Sequence, residues 1–343
     1  MLCGAIRPQR RVLEMNGNIL DVKDLKKYFA LKRERLFSKP RYVKAVDGVT
    51  FSVKEREVFG LVGETGCGKT TIGRLVVRLE EPTAGSILFQ GTDITSLNKK
   101  ELKKFRRKMQ MIFQDPYASI NPRMTVNQWV SEPLFNYRIV SSVDEALEKV
   151  VKALGDAGLK PVEEYLDRFP HELSGGERQR VSIARALVVD PIFMVADEPV
   201  SMLDVSIRAG VMQLLLGLRE KYGLSIILIT HDISVARYMS DRIAVMYLGK
   251  IVELGDTEDV IKDPLHPYTK ALIKAVPVAD PTRERTPLPL KGELPSAVER
   301  PSGCVFRTRC IYATDICAEK EPPLVEIKNG HMCACHMVER GEI

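Results

Sequence analysis

The chain has 343 residues, of which 45% are hydrophobic and 28% are charged, and its formal net charge is +6. This length and apolar content exclude a largely disordered protein, and they suffice for one large domain with an appendage or for two domains. No apolar run reaches the roughly 18–20 residues that a membrane-spanning helix needs. The small excess of positive charge is more typical of an ordinary solvated surface than of a nucleic-acid or membrane surface.

The first predicted elements are β-strands that follow a short extension. Residues 1–18 lack a long apolar core of the secretory type, and we expect them to be disordered and the protein to be cytoplasmic. From residue 19 to about residue 60, short apolar bursts alternate with polar residues, as they do in strands. A basic, turn-rich interval, LKRERLFSKPRYVK, interrupts this pattern.

A phosphate-binding loop comes next. The segment GETGCGKT matches G-x-x-x-x-G-K-[ST], follows the strand-like EVFGLV and opens a predicted helix. Its glycines let backbone N–H groups point at phosphates, and the helix N-terminus adds partial positive charge. We expect Lys69 to reach the β- and γ-phosphates, Thr70 to bind Mg²⁺ and Thr71 to add a phosphate contact, with Cys67 a small tolerated residue. The predicted nucleotide-binding residues here are Gly63, Glu64, Thr65, Gly66, Cys67, Gly68, Lys69, Thr70 and Thr71.

Helices and strands alternate through the middle of the chain. Helical periodicity over residues 125–165 predicts most of a helical subdomain at about 115–172. The segments PIFMVAD, SIRAGVMQLLLGLREKYG, LSIILIT, ISVARYMS and RIAVMYLG then alternate apolar strands with helices. This order predicts a parallel sheet with helices on both faces.

Two further polar motifs lie in this region. The buried run of PIFMVADEP delivers Asp197 to the metal, directly or through water, and places Glu198 to orient or deprotonate an attacking water. In LSGGERQR, Ser174, Gly175 and Gly176 open a second glycine-rich helix N-terminus suited to an anion. One chain needs only one such site for its own ATP, so the second is predicted to serve the ATP of a partner subunit.

Together with the histidine of ITHD, these motifs resemble those of the ATP-binding subunit of an ABC transporter, over about residues 19–262. The resemblance implies an α/β, ABC-type P-loop ATPase with a RecA-like core, an antiparallel β subdomain and a helical subdomain. It also implies a head-to-tail dimer, in which each ATP lies between the phosphate loop of one subunit and the signature of the other.

The resemblance assigns further roles residue by residue. Phe29 resembles the aromatic that stacks on adenine, although the adjacent Tyr28 is an equal candidate on local pattern. Gln114 in MIFQDP resembles the residue that touches Mg²⁺ and faces the membrane subunit, and His231 resembles the γ-phosphate sensor. The predicted catalytic residues are therefore Glu198, His231 and Gln114. Two groups act across the dimer: the signature, Ser174, Gly175, Gly176 and Glu177, and the D-loop SMLD, Ser201 to Asp204, in which Met202 departs from the usual small residue.

The phrases MQMIFQDPYASINPRMTV and DPLHPYTKALIKAVP narrow the match. They are similar to the ATPase subunits of oligopeptide/dipeptide importers. The resemblance implies a paralogous or identical ATPase partner, two membrane-spanning permease subunits, an indirect extracellular solute-binding protein and no nucleic acid. It implies a peripheral position at the cytoplasmic face of the cell membrane. Peptides are the expected cargo, with oligosaccharides or nickel as the alternative.

After residue 262 prolines become frequent and periodicity fades, so 263–343 is predicted to be a separate, irregular cysteine-rich domain. Its thiols follow the spacing Cys304-x₅-Cys310-x₆-Cys317-x₁₇-Cys335. Four thiolates converge only around a soft cationic group, and Zn²⁺ and a [4Fe–4S] cluster both satisfy this. The short zinc-finger spacing is absent.

The family resemblance extends into this segment as a peptide-importer-type regulatory region. It favours the [4Fe–4S] cluster, with Cys335 as the last ligand and the cluster as a structural staple. Cys333 remains an alternative fourth ligand, and His331 and His336 could complete a zinc site.

Two rival classes fit less of the chain. A soluble ABC ATPase acting on nucleic acid or ribosomes would carry two cassettes, a long coiled coil or a strongly basic face, whereas this chain has one cassette, no sustained heptads and a charge of only +6. An iron–sulfur electron carrier is supported only by the C-terminal cysteines.

Overall fold

A computed structural model describes residues 17–31, 40–115, 120–275, 290–291, 295–296, 298 and 300–343. The strands of this part are β1 Asn18–Ala30, β2 Tyr42–Lys54, β3 Val58–Val62, β4 Ala84–Phe89, β5 Thr92–Asp93, β6 Met109–Ile112, β7 Phe193–Asp197, β8 Ser225–Thr230, β9 Arg242–Tyr247, β10 Lys250–Asp256, β11 Val325–Lys328 and β12 His331–Cys333. Its α-helices are α1 Lys69–Val76, α2 Lys99–Lys108, α3 Val126–Asn136, α4 Val143–Asp156, α5 Glu163–Leu166, α6 Gly175–Leu187, α7 Val205–Tyr222, α8 Ile233–Met239, α9 Thr257–Lys262, α10 Pro267–Lys274, α11 Ile316–Glu319 and α12 His336–Glu339.

The larger sheet has eight strands in the order β11-β12-β10-β9-β3-β8-β7-β6. The neighbours from β9 to β6 are parallel. Every residue of β3, β7 and β8 is buried, which is why these segments are continuous apolar runs rather than alternating ones. The predicted parallel α/β core is therefore present, and the carboxyl ends of β3 and β7 lead into the two polar motifs that the sequence singles out.

A second, four-stranded antiparallel sheet has the order β2-β1-β4-β5. The long strands β1 and β2 pair from Asn18↔Lys54 to Ala30↔Tyr42. The predicted disordered extension 1–18 ends inside this element, because Asn18 already pairs with Lys54. Residues 1–16 lie outside the described residues.

Three helices, α3, α4 and α6, pack against one another over a shared apolar core that contains Trp129. Helices α3, α4 and α6 begin at side-chain caps, Thr125, Ser142 and Ser174, whose hydroxyls accept backbone N–H bonds. The predicted helical subdomain at 115–172 thus contains α3, α4 and α5, and the third packing partner, α6, begins just beyond it. Its boundaries remain a prediction, and residues 116–119 lie outside the described part.

The C-terminal segment differs from the separate, irregular region that composition predicts. Strand β12 pairs antiparallel with β10, with Glu253 opposite Cys333, and β11 pairs with β12, so the segment extends the central sheet. A buried contact of 2.7 Å between His331 Nε2 and Glu253 Oε1 stabilises the pairing of β12 with β10. Strands of three and four residues are too short to leave a periodic signal in the sequence.

No helix within the described ranges combines the length and the apolar character that crossing a bilayer requires.

Candidate nucleotide site

The phosphate loop is shaped by glycines that no other residue could replace without strain. Gly68 is the residue before α1 and has φ +107°, and a Cβ placed on it would lie 2.2 Å from the carbonyl oxygen of Ala45. Gly63 has φ +154°, and its Cβ would lie 2.3 Å from the carbonyl oxygen of Met246. The loop therefore curls tightly against β2 and β9.

Lys69 is buried, and its Nζ donates to the carbonyl oxygens of Gly63 at 2.7 Å and Glu64 at 3.0 Å. Cys67 is also buried, 3.8 Å from that Nζ, and burial raises the pKa of its thiol. The predicted inert role of Cys67 is consistent with this position behind the loop. Beside the loop lies a cavity of about 440 Å³. Its lining comprises Val43, Ala45, Thr65, Gly66, Gly68, Lys69, Thr70, Thr71, Gln114, Glu198, Ser201, Met202 and His231.

A hydroxyl and a carboxylate meet at the loop in a way that suits Mg²⁺. The Thr70 Oγ1 donates to Asp197 Oδ1 at 3.0 Å, and Asp197 is buried at the end of β7. The pKa of Asp197 is raised to about 6, chiefly by burial; the hydrogen bond from Thr70 opposes this shift, and the charge of Glu198 adds to it. Oxygen ligands are those that Mg²⁺ prefers. The two residues therefore fit the predicted metal role, and a bound cation would offset the cost of ionising the buried carboxyl.

Glu198 is held between the other two predicted catalytic residues. Its Oε2 accepts a hydrogen bond from Gln114 Nε2 at 3.0 Å, and its Oε1 lies 3.0 Å from His231 Nδ1. Because a carboxylate only accepts, Nδ1 carries the proton in this contact. Glu198 has φ +46°, a left-handed conformation that is uncommon for a side-chain-bearing residue and that collects at functional sites. The strained turn after β7 aims this carboxylate at the cavity.

The two candidate adenine-stacking residues point to opposite faces of the small sheet. Phe29 lies directly opposite Val43, a cavity-lining residue, and directly opposed residues share a face of an antiparallel pair. The Phe29 side chain is exposed. Tyr28 instead hydrogen-bonds Asp47 through its hydroxyl. The geometry favours Phe29, and its stacking role stays a prediction.

The signature lies away from this cavity. Ser174 caps α6: its Oγ accepts the Glu177 N–H at 3.3 Å while Glu177 Oε2 accepts the Ser174 N–H at 2.7 Å. Gly175 and Gly176 form the first turn of the same helix. None of these four is among the described residues that line the cavity. In the D-loop, Met202 lines the cavity with 64% of its surface exposed, and Asp204 precedes α7.

The cysteines of the C-terminal segment are all buried as free thiols. The pKa of Cys304 is raised to about 12, chiefly by burial, with smaller contributions of the same sign from the neighbouring Cys317, Cys335 and Cys310. Cys333 lies on β12, and burial and then Glu253 raise its pKa. Over the described ranges, no group of three or more His, Cys, Asp or Glu residues is arranged to hold a metal ion. The Cys304 N–H donates to the Cys317 carbonyl oxygen at 2.8 Å, but in the described part of the chain the four predicted ligands do not form a single-ion site.

Sequence patterns missed the residues that support the loop from elsewhere in the chain. Tyr268 and Arg309 contact Glu64 across sequence separations of 204 and 245 residues. Tyr268 lies in DPLHPYTKALIKAVP and Arg309 lies just before Cys310, but neither pattern indicates a contact with Glu64. That contact depends on the fold that brings the C-terminal segment to the loop.

A carboxylate poised over a phosphate-binding loop, next to a hydroxyl and a buried acid that suit Mg²⁺, is equipped to direct water onto the terminal phosphate of a nucleotide. With the parallel sheet and the glycine-rich loop, it defines a P-loop ATPase.

Comparison with known proteins identifies the family. The ABC transporter family model matches residues 46–201, and the model "Oligopeptide/dipeptide transporter, C-terminal region" matches residues 252–317. The oligopeptide transport ATP-binding protein AppF of Bacillus subtilis (strain 168) is 49% identical over 324 residues, covering 93% of this chain and 97% of AppF. The chain belongs to the family of ATP-binding subunits of oligopeptide/dipeptide ABC transporters.

Solved structures agree on the fold. The ATP-binding cassette MJ0796, described as a dimer in a post-hydrolysis state bound to ADP and Pi, is 32% identical with a TM-score of 0.61, covering 69% of this chain and 98% of that one. The cbiO1 protein of Clostridium perfringens, part of the cbiONQ transporter complex, is 29% identical with a TM-score of 0.62, covering 72% of this chain and 92% of its own.

Proposed function

We propose that this chain binds Mg·ATP at residues 63–71 and hydrolyses it with Glu198 as the residue that orients and activates water. The main observation in support is that the Glu198 carboxylate lies between Gln114 and His231, 3.0 Å from each. Gln114 and His231 hold the carboxylate in position, and a positioned base contributes roughly 10²–10⁴-fold to a rate. Thr70 and Asp197 would hold Mg²⁺, which would neutralise charge on the terminal phosphates.

ATP is bound between two ATPase subunits, the second supplying Ser174, Gly175, Gly176 and Glu177 and the D-loop residue Asp204. The cavity beside the loop is open and lacks signature residues within the described part, so one chain leaves one side of the nucleotide uncovered. The first turn of α6 carries the N–H groups of Gly175 and Gly176 and a partial positive charge, which suits a phosphate of the partner's ATP. The partner is a paralogous or identical subunit.

Closure of this dimer drives two membrane-spanning permease subunits, and the work imports oligopeptides or dipeptides delivered by an extracellular binding protein. The chain acts as a peripheral protein at the cytoplasmic face of the membrane. The family membership supports the peptide cargo. Uptake of a labelled dipeptide and a labelled oligopeptide, compared between cells with and without the chain, tests the cargo. Loss of oligosaccharide or nickel uptake with peptide uptake intact would contradict it.

The dimer is tested with Glu198→Gln, which keeps the shape of the side chain but removes the base. We expect this variant to retain ATP and to form a stable dimer, measured by light scattering with Mg·ATP, alone and with any ATPase subunit that co-purifies with its permease. If ATP binds and neither mixture associates, the two-subunit site is refuted.

Two serines provide a matched pair for the signature. Ser174 and Ser142 each cap a helix, accepting the N–H three residues on at 3.3 and 3.2 Å. Replacing either by Ala removes a cap that contributes about 1 kcal/mol. Only Ser174→Ala should weaken ATP-dependent dimerisation in the Glu198→Gln background. Equal effects of both substitutions would mean that helix stability, and not contact with nucleotide, is responsible.

We also propose that Cys304, Cys310, Cys317 and Cys335 hold a [4Fe–4S] cluster. All four thiols are buried, and the Cys304 N–H donates to the Cys317 carbonyl oxygen at 2.8 Å, which supports the proposal. Within the described residues the thiols are not arranged to hold a single metal ion. The ligands of a cluster bind different irons and need not converge on one point. When bound, the cluster would cross-link the loops that carry its ligands.

Purification without oxygen, followed by iron, sulfide and zinc analysis, tests the cluster. We expect a brown protein that loses its iron in Cys335→Ser and keeps it in the control Cys333→Ser. A colourless protein with stoichiometric zinc would contradict the assignment.

A further inference from the structure

The C-terminal segment contacts the phosphate loop directly through an ion pair. Arg309 Nη1 donates to Glu64 Oε1 at 3.1 Å and to Oε2 at 3.0 Å. The side chain of Arg309 is 11% exposed and that of Glu64 30% exposed, so the pair is mostly shielded from water. Shielded pairs are screened less by salt than exposed ones. Arg309 precedes Cys310, and Glu64 is the second residue of the loop motif, so the pair links the two functional segments of the chain.

A second contact reaches the same loop residue. The hydroxyl of Tyr268, on α10, accepts the backbone N–H of Glu64 at 3.0 Å. Tyr268 is 1% exposed, and its ring lies 4.8 Å from that of Tyr247 and 5.5 Å from that of Phe306. Phe306 belongs to the segment that carries Arg309, so the tyrosine is fixed by the same C-terminal element.

The remaining polar group of Glu64 is also engaged, because its carbonyl oxygen accepts from Lys69 Nζ at 3.0 Å. The N–H and the carboxylate of Glu64 are thus hydrogen-bonded to Tyr268 and Arg309 of the C-terminal segment. Its carbonyl oxygen is bonded to Lys69, the residue predicted to reach the β- and γ-phosphates. An unpaired carboxylate at this position would repel a triphosphate, and the guanidinium of Arg309 neutralises it.

We propose that Arg309 and Tyr268 are positioning residues for the nucleotide site: through Glu64 they hold the phosphate loop in its binding shape and cancel a negative charge beside it. Neither residue is among the described residues that line the cavity beside the loop. The C-terminal segment is therefore part of the ATP-binding apparatus and sets the affinity for nucleotide. This inference rests on the proposed role of residues 63–71 in binding phosphates.

The test compares the dissociation constant for ATP, by calorimetry, and the steady-state KM and kcat of the full-length chain. We expect Arg309→Gln to raise Kd and KM about tenfold, with kcat at saturating ATP within about twofold, because the lost interaction is made equally in the ground and transition states. Arg309→Lys should recover part of the affinity. Tyr268→Phe keeps the packed ring but leaves the Glu64 N–H without its acceptor, and should raise Kd by a smaller factor.

A double substitution separates positioning from general stability. Removing the carboxylate as well, in Arg309→Gln/Glu64→Gln, should return Kd most of the way to wild type, which a loss of fold stability would not do. Arg307→Gln is the matched control, because Arg307 lies in the same segment but, among the residues that the structure describes, its side chain donates to Ser302, at 2.8 and 3.3 Å, and not to Glu64. Its Kd should equal that of wild type.

The inference is overturned if Arg309→Gln and Tyr268→Phe both bind ATP as wild type does, or if the double substitution restores nothing. If Arg309→Gln fails to fold, by circular dichroism, Tyr268→Phe alone decides: unchanged Kd overturns the inference. Lys69→Ala distinguishes this failure from that of the proposed function. Unchanged ATP binding in Lys69→Ala overturns both, whereas lost binding there with wild-type Kd values in both Arg309→Gln and Tyr268→Phe overturns only the inference.

Discussion

The buried carboxyl of Asp197 should make the metal-free protein less stable than its amide variant. Its pKa is raised from 3.8 to about 6, chiefly by burial, which corresponds to a cost of about 3 kcal/mol for holding the charge in the folded state. Asn has nearly the same shape and can still accept the Thr70 hydroxyl bond of 3.0 Å. We therefore expect Asp197→Asn to raise the free energy of unfolding by up to about 3 kcal/mol at pH 8 without metal or nucleotide.

The sign of the pH dependence follows from the same shift. Above pH 6 the carboxyl is ionised in both states, and the full cost is present. As the pH falls from about 6 to about 4, the folded state takes up a proton before the unfolded state does, so the cost and the advantage of the variant disappear. With Mg·ATP the advantage of the variant should shrink or reverse, because the wild type keeps the carboxylate that suits Mg²⁺ and gains more stability from the bound ligand.

Urea unfolding with a metal chelator, at pH values from 4 to 8, measures this difference. Asp156→Asn is a control of opposite sign: burial raises the pKa of Asp156, but hydrogen bonds from Lys221 and Tyr222 outweigh burial and leave it lowered. That variant should be less stable than wild type at pH 7, and the deficit should shrink in acid as Asp156 is protonated. An advantage of Asp197→Asn that is absent at pH 8, or that does not change with pH, would refute the reasoning.

Other substitutions test the remaining geometry. His231→Ala removes the hydrogen-bond donor that lies 3.0 Å from Glu198. In a coupled ATPase assay we expect kcat to fall about 10²-fold while the Kd for ATP stays nearly unchanged. A rise in Kd without a fall in kcat would contradict this role. Gly68→Ala would force a Cβ to 2.2 Å from a carbonyl oxygen at φ +107° and should destabilise the protein by about 1–3 kcal/mol and abolish nucleotide binding. In the control Gly217→Ala, in helix α7, the new Cβ would have no described atom within 4 Å apart from its chain neighbours and the backbone of its own helix. This variant should instead be stabilised by about 0.5–1 kcal/mol in the same denaturation assay; equal losses at both glycines would disprove the steric argument.

Local sequence was sufficient for the parts of this protein that depend on short stretches of backbone. The phosphate loop requires glycines at fixed intervals between a buried strand and a helix, and the capped start of α6 requires a serine before its two glycines. The pattern GETGCGKT and the pattern LSGGE carry those requirements by themselves. For the same reason the apolar runs of β3, β7 and β8 predicted a parallel sheet, because a strand buried on both faces has no polar side.

Contacts between distant segments could be decided only by the tertiary structure. The sequence named Gln114, Glu198 and His231, but their meeting at 3.0 Å depends on how β6, β7 and β8 are paired. Composition suggested a detached C-terminal region, whereas β12 joins the central sheet and Arg309 reaches Glu64. The periodicity of a sequence shows which face of a helix or strand is buried, but it does not show which residues pack against that face. The partner of a single arginine such as Arg309 can therefore be identified only in the folded structure.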